Sequence, residues 1–283
     1  MRIGNVGGRA LLITGDDTGI DIATASEGAF GPSMQSLYDR WTDFRAWAAR
    51  APLDAGVRHF TEQQIGAPAP SPRQVFAIGL NYAEHAGESG VGVPEEPAVF
   101  TKFPTSLTGP VTEVTLPDGN VDWEVELVVV IGREARNISP EQAWDHVAGV
   151  TAGQDLSERR LQHVGPLPQF SLAKSYPGFG PTGPFLVTVD ELDNPDDLAI
   201  GCAVNSETVQ KSRTRHMIFS VPVLLAKLSA VAPLLPGDVI FSGTPSGVGG
   251  AQNPPRFLAP GDTLVSFVEN VGRLTQTFVS AQE

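Results

Sequence analysis

Apolar and polar residues alternate along much of the chain after residue 73, in the manner of strands with one buried face. Strand-like segments, bounded by glycine and proline, lie at 75–79, 98–103, 121–132, 183–189, 198–204, 239–243 and 263–268. Helical segments are fewer and lie at 82–88, 140–145, 155–163 and 220–231. This order lacks the regular strand–helix alternation of a Rossmann fold, and it predicts an α+β fold built around a mixed β-roll.

The first 68 residues differ from the rest and predict a small N-terminal α+β domain. Residues 3–22 have the composition of short strands that are separated by glycine-rich turns at 7–8 and 15–17. Residues 33–49 follow helical spacing, with large apolar side chains that we expect in a core: Met34, Leu37, Tyr38, Trp41, Phe44 and Trp47. Residues 67–72, with a proline at every second position, predict a stiff linker to a second domain at 73–283.

Composition and charge exclude several classes of protein. The chain has 283 residues and a formal net charge of −13. Such an acidic surface repels phosphate backbones, so we expect no nucleic-acid partner. No apolar run reaches the roughly 20 residues that span a bilayer, and the N-terminus lacks the apolar segment of a signal peptide, so we expect a cytoplasmic protein with no membrane partner. The single cysteine, Cys202, excludes an internal disulfide framework and is expected to be a small buried side chain.

Acidic residues occupy every second position at the start of the segment 121–131. Asp122, Glu124 and Glu126 would share one face of a strand, and Val128 and Val130 continue that face. The opposite face is apolar throughout, so we expect a buried strand with carboxylates at one end. Two interpretations stay open at this point. The carboxylates form a solvated acidic edge, or they hold a divalent cation that removes the cost of burying like charges.

A further carboxylate, Asp155, follows the strand-like residues 148–153. If 155–163 is helical, Asp155, Arg159 and Gln162 project from one face. An acid, a guanidinium and an amide on one face suit a metal ion with a bound carboxylate. The alternative is that Asp155 is only the N-cap of the helix. Oxygen ligands would favour Mg²⁺, Mn²⁺ or Ca²⁺ over zinc.

Three further segments carry possible catalytic groups. A helix within 79–88 would place His85 and Glu88 one turn apart, where the carboxylate orients the imidazole as a general base; the alternative is a weak surface ion pair. Lys174 has apolar neighbours and could stabilise an enolate, or it could extend along the surface to solvent. The glycine-rich loop 241–249 could present backbone N–H groups and the Thr244 hydroxyl to an anion, or it could be a structural turn.

Taken in order, these segments resemble the fumarylacetoacetate hydrolase family from about residue 76 to residue 279. The motifs that carry the resemblance are Gly79-Leu80-Asn81-Tyr82 with His85 and Glu88, Phe100-Thr101-Lys102-Phe103-Pro104, Glu124-Val125-Glu126-Leu127, Asp155 with Arg159 and Gln162, Lys174, Pro181-Thr182-Gly183-Pro184, and Gly243-Thr244-Pro245-Ser246-Gly247-Val248-Gly249. No single motif is specific, but their common order is. The resemblance favours the metal interpretation, and it implies a mixed β-roll in a catalytic domain at 73–283 that usually forms a homodimer.

The resemblance also implies a role for each matched residue. It implies three ligands for Mg²⁺ or Mn²⁺, which Ca²⁺ can replace in crystals: Glu124, Glu126 and Asp155. It implies four catalytic residues, of which the first two form a dyad on a short lid that orders when substrate binds: His85, Glu88, Lys174 and Gln162. It implies three substrate contacts: Arg159, Thr244 and Tyr82.

Two positions depart from the common pattern of the family. Leu80 stands where many members have arginine, so one possible cationic contact with the substrate is absent. Ser206 replaces a turn glycine after Asn205, a change that concerns only a hairpin.

The residues and the resemblance together predict a divalent-metal-dependent hydrolase that cleaves a C–C bond in a small acylpyruvate-type 2,4-dioxo acid. His85, oriented by Glu88, would deprotonate a water that attacks the distal carbonyl, and Lys174 would stabilise the pyruvate enolate that leaves. The same enolate chemistry serves two alternatives, which are decarboxylation of an oxaloacetate-type 2-oxo acid and isomerisation of an unsaturated 2-oxo dioate. A third alternative is of a different class: a non-catalytic, metal-stabilised protein that binds a small molecule.

Overall fold

The computed structural model describes residues 1–52, 54–88, 90 and 92–281. Residues 53, 89, 91, 282 and 283, which the two predicted domains include, lie outside these ranges. The strands are β1 Arg2–Val6, β2 Arg9–Ile13, β3 Thr18–Asp21, β4 Val57–His59, β5 Ile65–Gly66, β6 Val75–Gly79, β7 Ala98–Thr101, β8 Leu107–Thr108, β9 Val111–Leu116, β10 Val121–Asp122, β11 Val125–Ile131, β12 Val147–Gln154, β13 Ser157–Glu158, β14 Gly180–Val187, β15 Ala199–Val204, β16 Glu207–Arg213, β17 Val239–Phe241, β18 Thr263–Val268 and β19 Gly272–Ser280.

The helices are short. They are α1 Ile22–Ala25, α2 Met34–Tyr38, α3 Trp41–Ala48, α4 Ala83–Glu88, α5 Arg159–Gln162, α6 Phe170–Ala173 and α7 Val221–Val231. Turns of 3₁₀ helix lie at Glu62–Gln64, Pro104–Ser106, Pro140–His146, Val189–Glu191, Thr214–His216 and Gly249–Ala251. Across the described residues, no helix combines the length and the apolar content that a bilayer span requires.

The strands of the described ranges form three sheets. The largest has 12 strands in the order β4-β3-β2-β1-β14-β12-β11-β17-β6-β7, with β5 paired to β1 and β8 paired to β14. A five-stranded sheet has the order β16-β15-β18-β19-β9, and β10 pairs with β13. Parallel pairs such as β17–β6 and β19–β9 occur beside antiparallel ones. The predicted α+β fold with a mixed β-roll is confirmed.

Strand β11 separates two hydrophobic cores. Val125, Leu127 and Val129 belong to a core that includes residues of the five-stranded sheet, whereas Val128 and Val130 belong to a second core with the helices α2 and α3. All seven residues of β11 are buried, as expected for a strand that is covered on both faces. The buried strand that the alternation predicts is therefore confirmed over residues 125–131.

The N-terminal strands continue the large sheet. Arg2 of β1 lies opposite Val187 of β14, so the sheet runs across residue 68. The apolar side chains of segment 33–49 pack in the second core as predicted, Trp47 only partly buried at its edge. The division into two domains at residue 68 stays a prediction.

Two predicted elements are interrupted in the structure. The helix at 33–49 is divided into α2 and α3 at residues 39–40, where Arg40 leaves helical backbone angles and its guanidinium donates to the carbonyl of Ala29 at 2.8 Å. The strand at 121–132 is divided into β10 and β11 at residues 123–124. The spacing of apolar residues indicates which side chains are buried. This spacing can continue across a short interruption of the backbone hydrogen bonds of a helix or strand. The sequence pattern therefore predicted the buried faces but not the breaks.

The hairpin between β15 and β16 turns at Asn205 and Ser206, whose φ angles are 49° and 71°. A left-handed backbone costs roughly 1 kcal/mol for a residue with a Cβ, and it costs glycine almost nothing. We expect Ser206→Gly to raise the melting temperature by about 1–3 °C, because the relieved strain exceeds the extra entropy of glycine in the unfolded chain. Thermal unfolding beside Ser206→Ala, which keeps the strain, measures this effect. A glycine variant that melts no higher than the alanine variant would refute it.

Candidate active site and metal centre

Three buried carboxylates meet where β11 begins and β12 ends. One oxygen from each of Glu124, Glu126 and Asp155 lies within 4.8 Å of the others. A backbone hydrogen bond holds two of these residues side by side, because the N–H of Asp155 donates to the carbonyl of Glu124 at 2.9 Å just beyond the end of β12. The N–H of Glu124 in turn donates to the side chain of Gln154 at 2.8 Å. The structure thus brings together the three residues that the resemblance implied as metal ligands.

Asp155 does not begin a helix, contrary to the prediction from sequence. Residues 157–158 form β13 against β10, and α5 begins only at Arg159 with Glu158 as its N-cap. The predicted shared helix face is therefore wrong for Asp155. Arg159 and Gln162 do meet, since Nη1 of Arg159 donates to Oε1 of Gln162 at 2.8 Å. A pairing with residues 121–122, distant in sequence, decided the local structure here.

Two buried lysines and an arginine neutralise part of the carboxylate charge. Nζ of Lys174 donates to Glu124 at 2.7 Å and to Asp155 at 2.9 Å. Nζ of Lys102 donates to the other oxygen of Asp155 at 2.7 Å and to the backbone carbonyl of Lys174. Arg159 donates to Glu124 at 2.5 Å. Lys174 is 2% exposed, so the alternative of a lysine that extends to solvent is wrong.

The charges in this cluster are unevenly compensated. Burial alone would raise the pKa of Glu124, but Lys174 and Arg159 outweigh it and lower that pKa to about 2. Burial, together with the nearby Asp155 and Glu124, raises the pKa of Glu126 well above its ordinary value. Burial alone would lower the pKa of Lys174, but Asp155 and Glu124 outweigh it and raise that pKa. Of the three carboxylates, Glu126 is therefore the one whose ionised form is least compensated by nearby positive charge.

This donor set fits a hard divalent cation. All three groups are carboxylates, which are the ligands that Mg²⁺ and Mn²⁺ prefer in proteins. The repulsion that raises the pKa of Glu126 is also what a bound cation would relieve. The cluster could therefore hold a divalent metal ion, and it is not the solvated acidic edge of the alternative interpretation.

His85 and Glu88 lie on helix α4, one turn apart as predicted. Nδ1 of His85 is 2.8 Å from Oε1 of Glu88, and His85 is 7% exposed, so the imidazole is buried and is not a surface side chain. Both oxygens of Glu88 also accept the N–H of Gly247, the shorter distance being 2.9 Å. Helix α4 is therefore hydrogen-bonded to the glycine-rich loop 241–249.

The loop at 241–249 does present backbone N–H groups to anions, as one interpretation of the sequence held. The anions are carboxylates of the protein itself, because Gly243 donates to Glu126 at 2.7 Å and Gly247 donates to Glu88. Gly243 has a φ of +100°, a conformation that favours glycine. The hydroxyl of Thr244 donates to the carbonyl of Val125 at 2.9 Å. The loop therefore supports the cluster and the His85–Glu88 pair from one side.

A cavity of about 440 Å³ opens onto these groups, a volume that suits a small organic acid. Seven of the predicted site residues line it: His85, Glu88, Glu124, Arg159, Gln162, Lys174 and Thr244. Tyr82, a predicted substrate contact, is buried near Glu126 instead, and its hydroxyl finds no hydrogen-bond partner within the described residues. A contact between Tyr82 and substrate stays a prediction.

Two buried charged residues of the site have no role assigned by the sequence patterns. Lys102 was noted only as part of a motif, yet it is fully buried against Asp155. Asp122 was placed on the acidic face of the strand, but its partner Arg159 was not foreseen. The local signal for Lys102 was its place between two phenylalanines in Phe-Thr-Lys-Phe, since an ammonium in apolar surroundings needs a carboxylate nearby. That signal does not indicate which carboxylate.

Comparisons with known proteins agree with this geometry. The human mitochondrial oxaloacetate tautomerase FAHD2A is 43% identical over 230 residues, which are 81% of this chain and 72% of that protein. A Mycobacterium smegmatis protein provisionally named HpcE is 59% identical, with a TM-score of 0.96 over 100% of both chains. Maleylpyruvate hydrolase from Sphingobium sp. SYK-6, solved with manganese(II) and pyruvate, is 28% identical, with a TM-score of 0.80 over 100% of both chains.

Several of the similar proteins are mitochondrial, and the cytoplasmic location and the homodimer expected for this chain stay predictions.

The family to which the chain belongs is shown by a family model and by the curated relatives. The model of the C-terminal region of fumarylacetoacetate (FAA) hydrolases matches residues 74–279, which is most of the chain. Together with the curated relatives, this match shows that the chain belongs to the fumarylacetoacetate hydrolase family, as its motifs indicated.

Proposed function

We propose that this protein is a divalent-metal-dependent keto–enol tautomerase of a small 2-oxo dicarboxylic acid of the oxaloacetate type. The observation that carries the proposal is a single cavity that is lined by the His85–Glu88 pair, Lys174 and Glu124, with the other two carboxylates of the cluster buried directly beside Glu124. The 43% identity with a human oxaloacetate tautomerase supports the substrate class. For that reason, C–C bond hydrolysis, the first hypothesis from the sequence, becomes the second candidate.

The proposed metal ion is Mg²⁺ or Mn²⁺, with Glu124, Glu126 and Asp155 as its ligands. Bound there, the ion supplies a Lewis acid that polarises the 2-oxo group and stabilises negative charge on its oxygen. Arg159 lines the same cavity and presents a planar guanidinium, which suits the substrate carboxylate.

Tautomerisation moves one proton between carbon and oxygen. In the proposal, Nε2 of His85 takes a proton from C3 of the keto acid, and Glu88 holds the imidazole in the required tautomer through Nδ1. The electron pair of the C–H bond forms the C2–C3 double bond, and the carbonyl oxygen gains the negative charge. The ammonium of Lys174 stabilises that oxygen and donates a proton to complete the enol. Exchange with solvent returns His85 and Lys174 to their starting states.

Hydrolysis of an acylpyruvate-type 2,4-dioxo acid is the second candidate. Two observations favour it. The His85–Glu88 pair could equally deprotonate a water molecule. A maleylpyruvate hydrolase also shares the fold at 28% identity. Hydroxide would add to the distal carbonyl, and the C–C bond would break. A carboxylic acid and a pyruvate enolate would then leave.

An assay with three substrates separates the candidates. The protein with Mg²⁺ or Mn²⁺ would receive oxaloacetate, an acylpyruvate and an unsaturated 2-oxo dioate, with the enol followed by ultraviolet absorbance and pyruvate by a coupled dehydrogenase. We expect faster keto–enol equilibration of oxaloacetate, no release of pyruvate, and loss of the effect on chelation. Pyruvate from the acylpyruvate at a higher kcat/KM would replace the proposal with hydrolysis, and pyruvate from oxaloacetate would indicate decarboxylation. Binding without any turnover would indicate the non-catalytic alternative.

A further inference from the structure

Asp122 has no part in the proposed reaction, yet both oxygens of its buried carboxylate are occupied. Oδ1 accepts from Nε of Arg159 at 2.7 Å, and Oδ2 accepts from the backbone N–H of Gly250 at 2.7 Å. The side chain is 0% exposed, so this carboxylate is fully buried between its two donors. A buried ion pair is seldom more stabilising than apolar side chains of the same volume. Stability alone therefore does not account for a carboxylate at this position.

Arg159 is held from three directions by side chains. Its Nε donates to Asp122, its Nη1 to Gln162 at 2.8 Å, and its Nη2 to Glu124 at 2.5 Å. A guanidinium has five N–H donors in one plane, so these contacts leave two donors for a ligand in the cavity. The hydrogen bond from Nε to Asp122 restricts the orientation of the guanidinium plane. The reason is that Nε joins the guanidinium to the rest of the Arg159 side chain.

The second oxygen of Asp122 holds part of the cavity wall. Gly250 and Ala251 line the cavity and belong to the 3₁₀ turn Gly249–Ala251. The turn packs directly on Asp122, because a Cβ on Gly249 would lie 2.9 Å from the Cβ of Asp122 and a Cβ on Gly250 would lie 3.3 Å from Oδ2. One carboxylate thus connects Arg159 to a neighbouring wall of the cavity.

We propose that Asp122 is a positioning residue that holds the Arg159 guanidinium and the Gly249–Ala251 turn in a fixed relation, and thereby sets the affinity of the cavity for a carboxylate ligand. Within the described residues, the cavity lining includes Arg159 but not Asp122, so Asp122 acts through Arg159. The inference rests on the proposed function in one respect, which is that Arg159 binds a carboxylate. It requires no particular reaction of that ligand.

Binding of oxalate, a small dicarboxylate without a C3 proton, tests this inference without turnover. Isothermal titration of the Mn²⁺-loaded protein would compare wild type with Asp122→Asn. An amide has a single acceptor oxygen, so one of the two contacts is lost. We expect the Kd for oxalate to rise about tenfold or more, as expected for the loss of a charged hydrogen bond, with the Kd for Mn²⁺ changed by less than about threefold.

Asp238→Asn is the matched control. Asp238 is also fully buried and also accepts backbone N–H groups, from Gln74 at 3.0 Å and Leu235 at 2.7 Å. It is not among the described residues that line the cavity. We expect Asp238→Asn to lower the melting temperature and to leave the Kd for oxalate unchanged.

The Arg159→Lys background separates positioning from a general structural effect. Lysine has no Nε for Asp122 to hold, so adding Asp122→Asn should change the Kd for oxalate by less than about twofold there. If Asp122→Asn fails to fold, Gly250→Ala disturbs the same contact more gently, and we expect it to raise the Kd about threefold.

The inference would be overturned if Asp122→Asn, or Gly250→Ala where Asp122→Asn does not fold, bound oxalate with wild-type affinity. It would also be overturned if Asp122→Asn raised the Kd for oxalate as much in the Arg159→Lys background as in the wild type. An equal rise in that Kd in Asp238→Asn would overturn it as well. Absence of tautomerase activity in the wild type would overturn the proposed function alone, since oxalate binding is measured without turnover.

Discussion

Replacement of Glu126 by glutamine should lower metal-dependent turnover about a thousandfold or more, because one of three metal ligands is lost. The same variant should raise the melting temperature of the metal-free protein by about 2–6 °C. Glu126 is buried beside Asp155 and Glu124, and burial with these charges raises its pKa. Without a cation, its ionised form therefore destabilises the folded state. Glutamine has nearly the same shape, can still accept the N–H of Gly243, and carries no charge.

The sign of the stability effect depends on pH. A raised carboxyl pKa means that the folded state disfavours the ionised form, so stability is lost as pH rises through the folded-state pKa. The gain in Glu126→Gln should therefore be largest at about pH 8 and shrink toward about pH 5, nearer the ordinary carboxyl range. Calorimetry of chelator-treated proteins measures the gain, and titration with Mn²⁺ measures the loss of metal binding. Glu113→Gln, the same change on an exposed part of β9, should alter neither.

Persistence of metal-dependent turnover in Glu126→Gln would show that Glu126 is not a ligand. An equal or lower melting temperature of the metal-free variant would show that the cluster is electrostatically balanced by Lys102, Lys174 and Arg159 without a metal ion.

Replacement of His85 by alanine should lower turnover by about 10²–10⁴, the usual contribution of a general base. The imidazole lines the cavity, and its Nδ1 lies 2.8 Å from Oε1 of Glu88, which orients the ring. Glu88→Gln should cost less, about tenfold, because an amide oxygen can still accept the Nδ1 proton but cannot stabilise the imidazolium as well. Neither variant removes a proposed metal ligand, so both should bind Mn²⁺ with nearly wild-type affinity.

Exchange of the C3 protons of oxaloacetate with D₂O, followed by nuclear magnetic resonance, measures this proton transfer directly. Wild-type protein should accelerate the exchange and His85→Ala should not. If His85→Ala kept more than about a tenth of the wild-type rate while binding metal normally, another group would be the base. Lys174 would then be the next candidate, since it also lines the cavity.

Much of the fold followed from local patterns. Alternation placed Val125, Leu127 and Val129 on one face of β11 and Val128 and Val130 on the other, and the two faces do belong to different cores. Strands β6 and β18 have the bounds that were predicted, since glycine, proline and aspartate mark their ends. The strands β9, β16 and β19 were not predicted, because polar side chains at exposed positions weaken their apolar periodicity.

The candidate site was only partly visible in the sequence. The motifs indicated Glu124, Glu126, Asp155 and Lys174, and these residues are brought together in the structure. The predicted place of Asp155 at the start of a helix was wrong, because Asp155 directly follows β12 and the N-cap of α5 is Glu158. No local pattern indicated that Lys102, just after β7, reaches Asp155 across 53 positions of sequence.

The sequence by itself determined the fold class, the buried strand with its acidic start, and the types of residue available for chemistry, because periodicity and residue chemistry are local properties. Only the tertiary structure decided which charges meet. Lys174 joins Glu124 to Asp155, Arg159 joins Asp122 to Glu124, and Gly243 supports Glu126, each across more than 15 residues of chain. The physical reason is that a buried charge requires a partner, and sheet pairing between distant strands determines which partner is within reach.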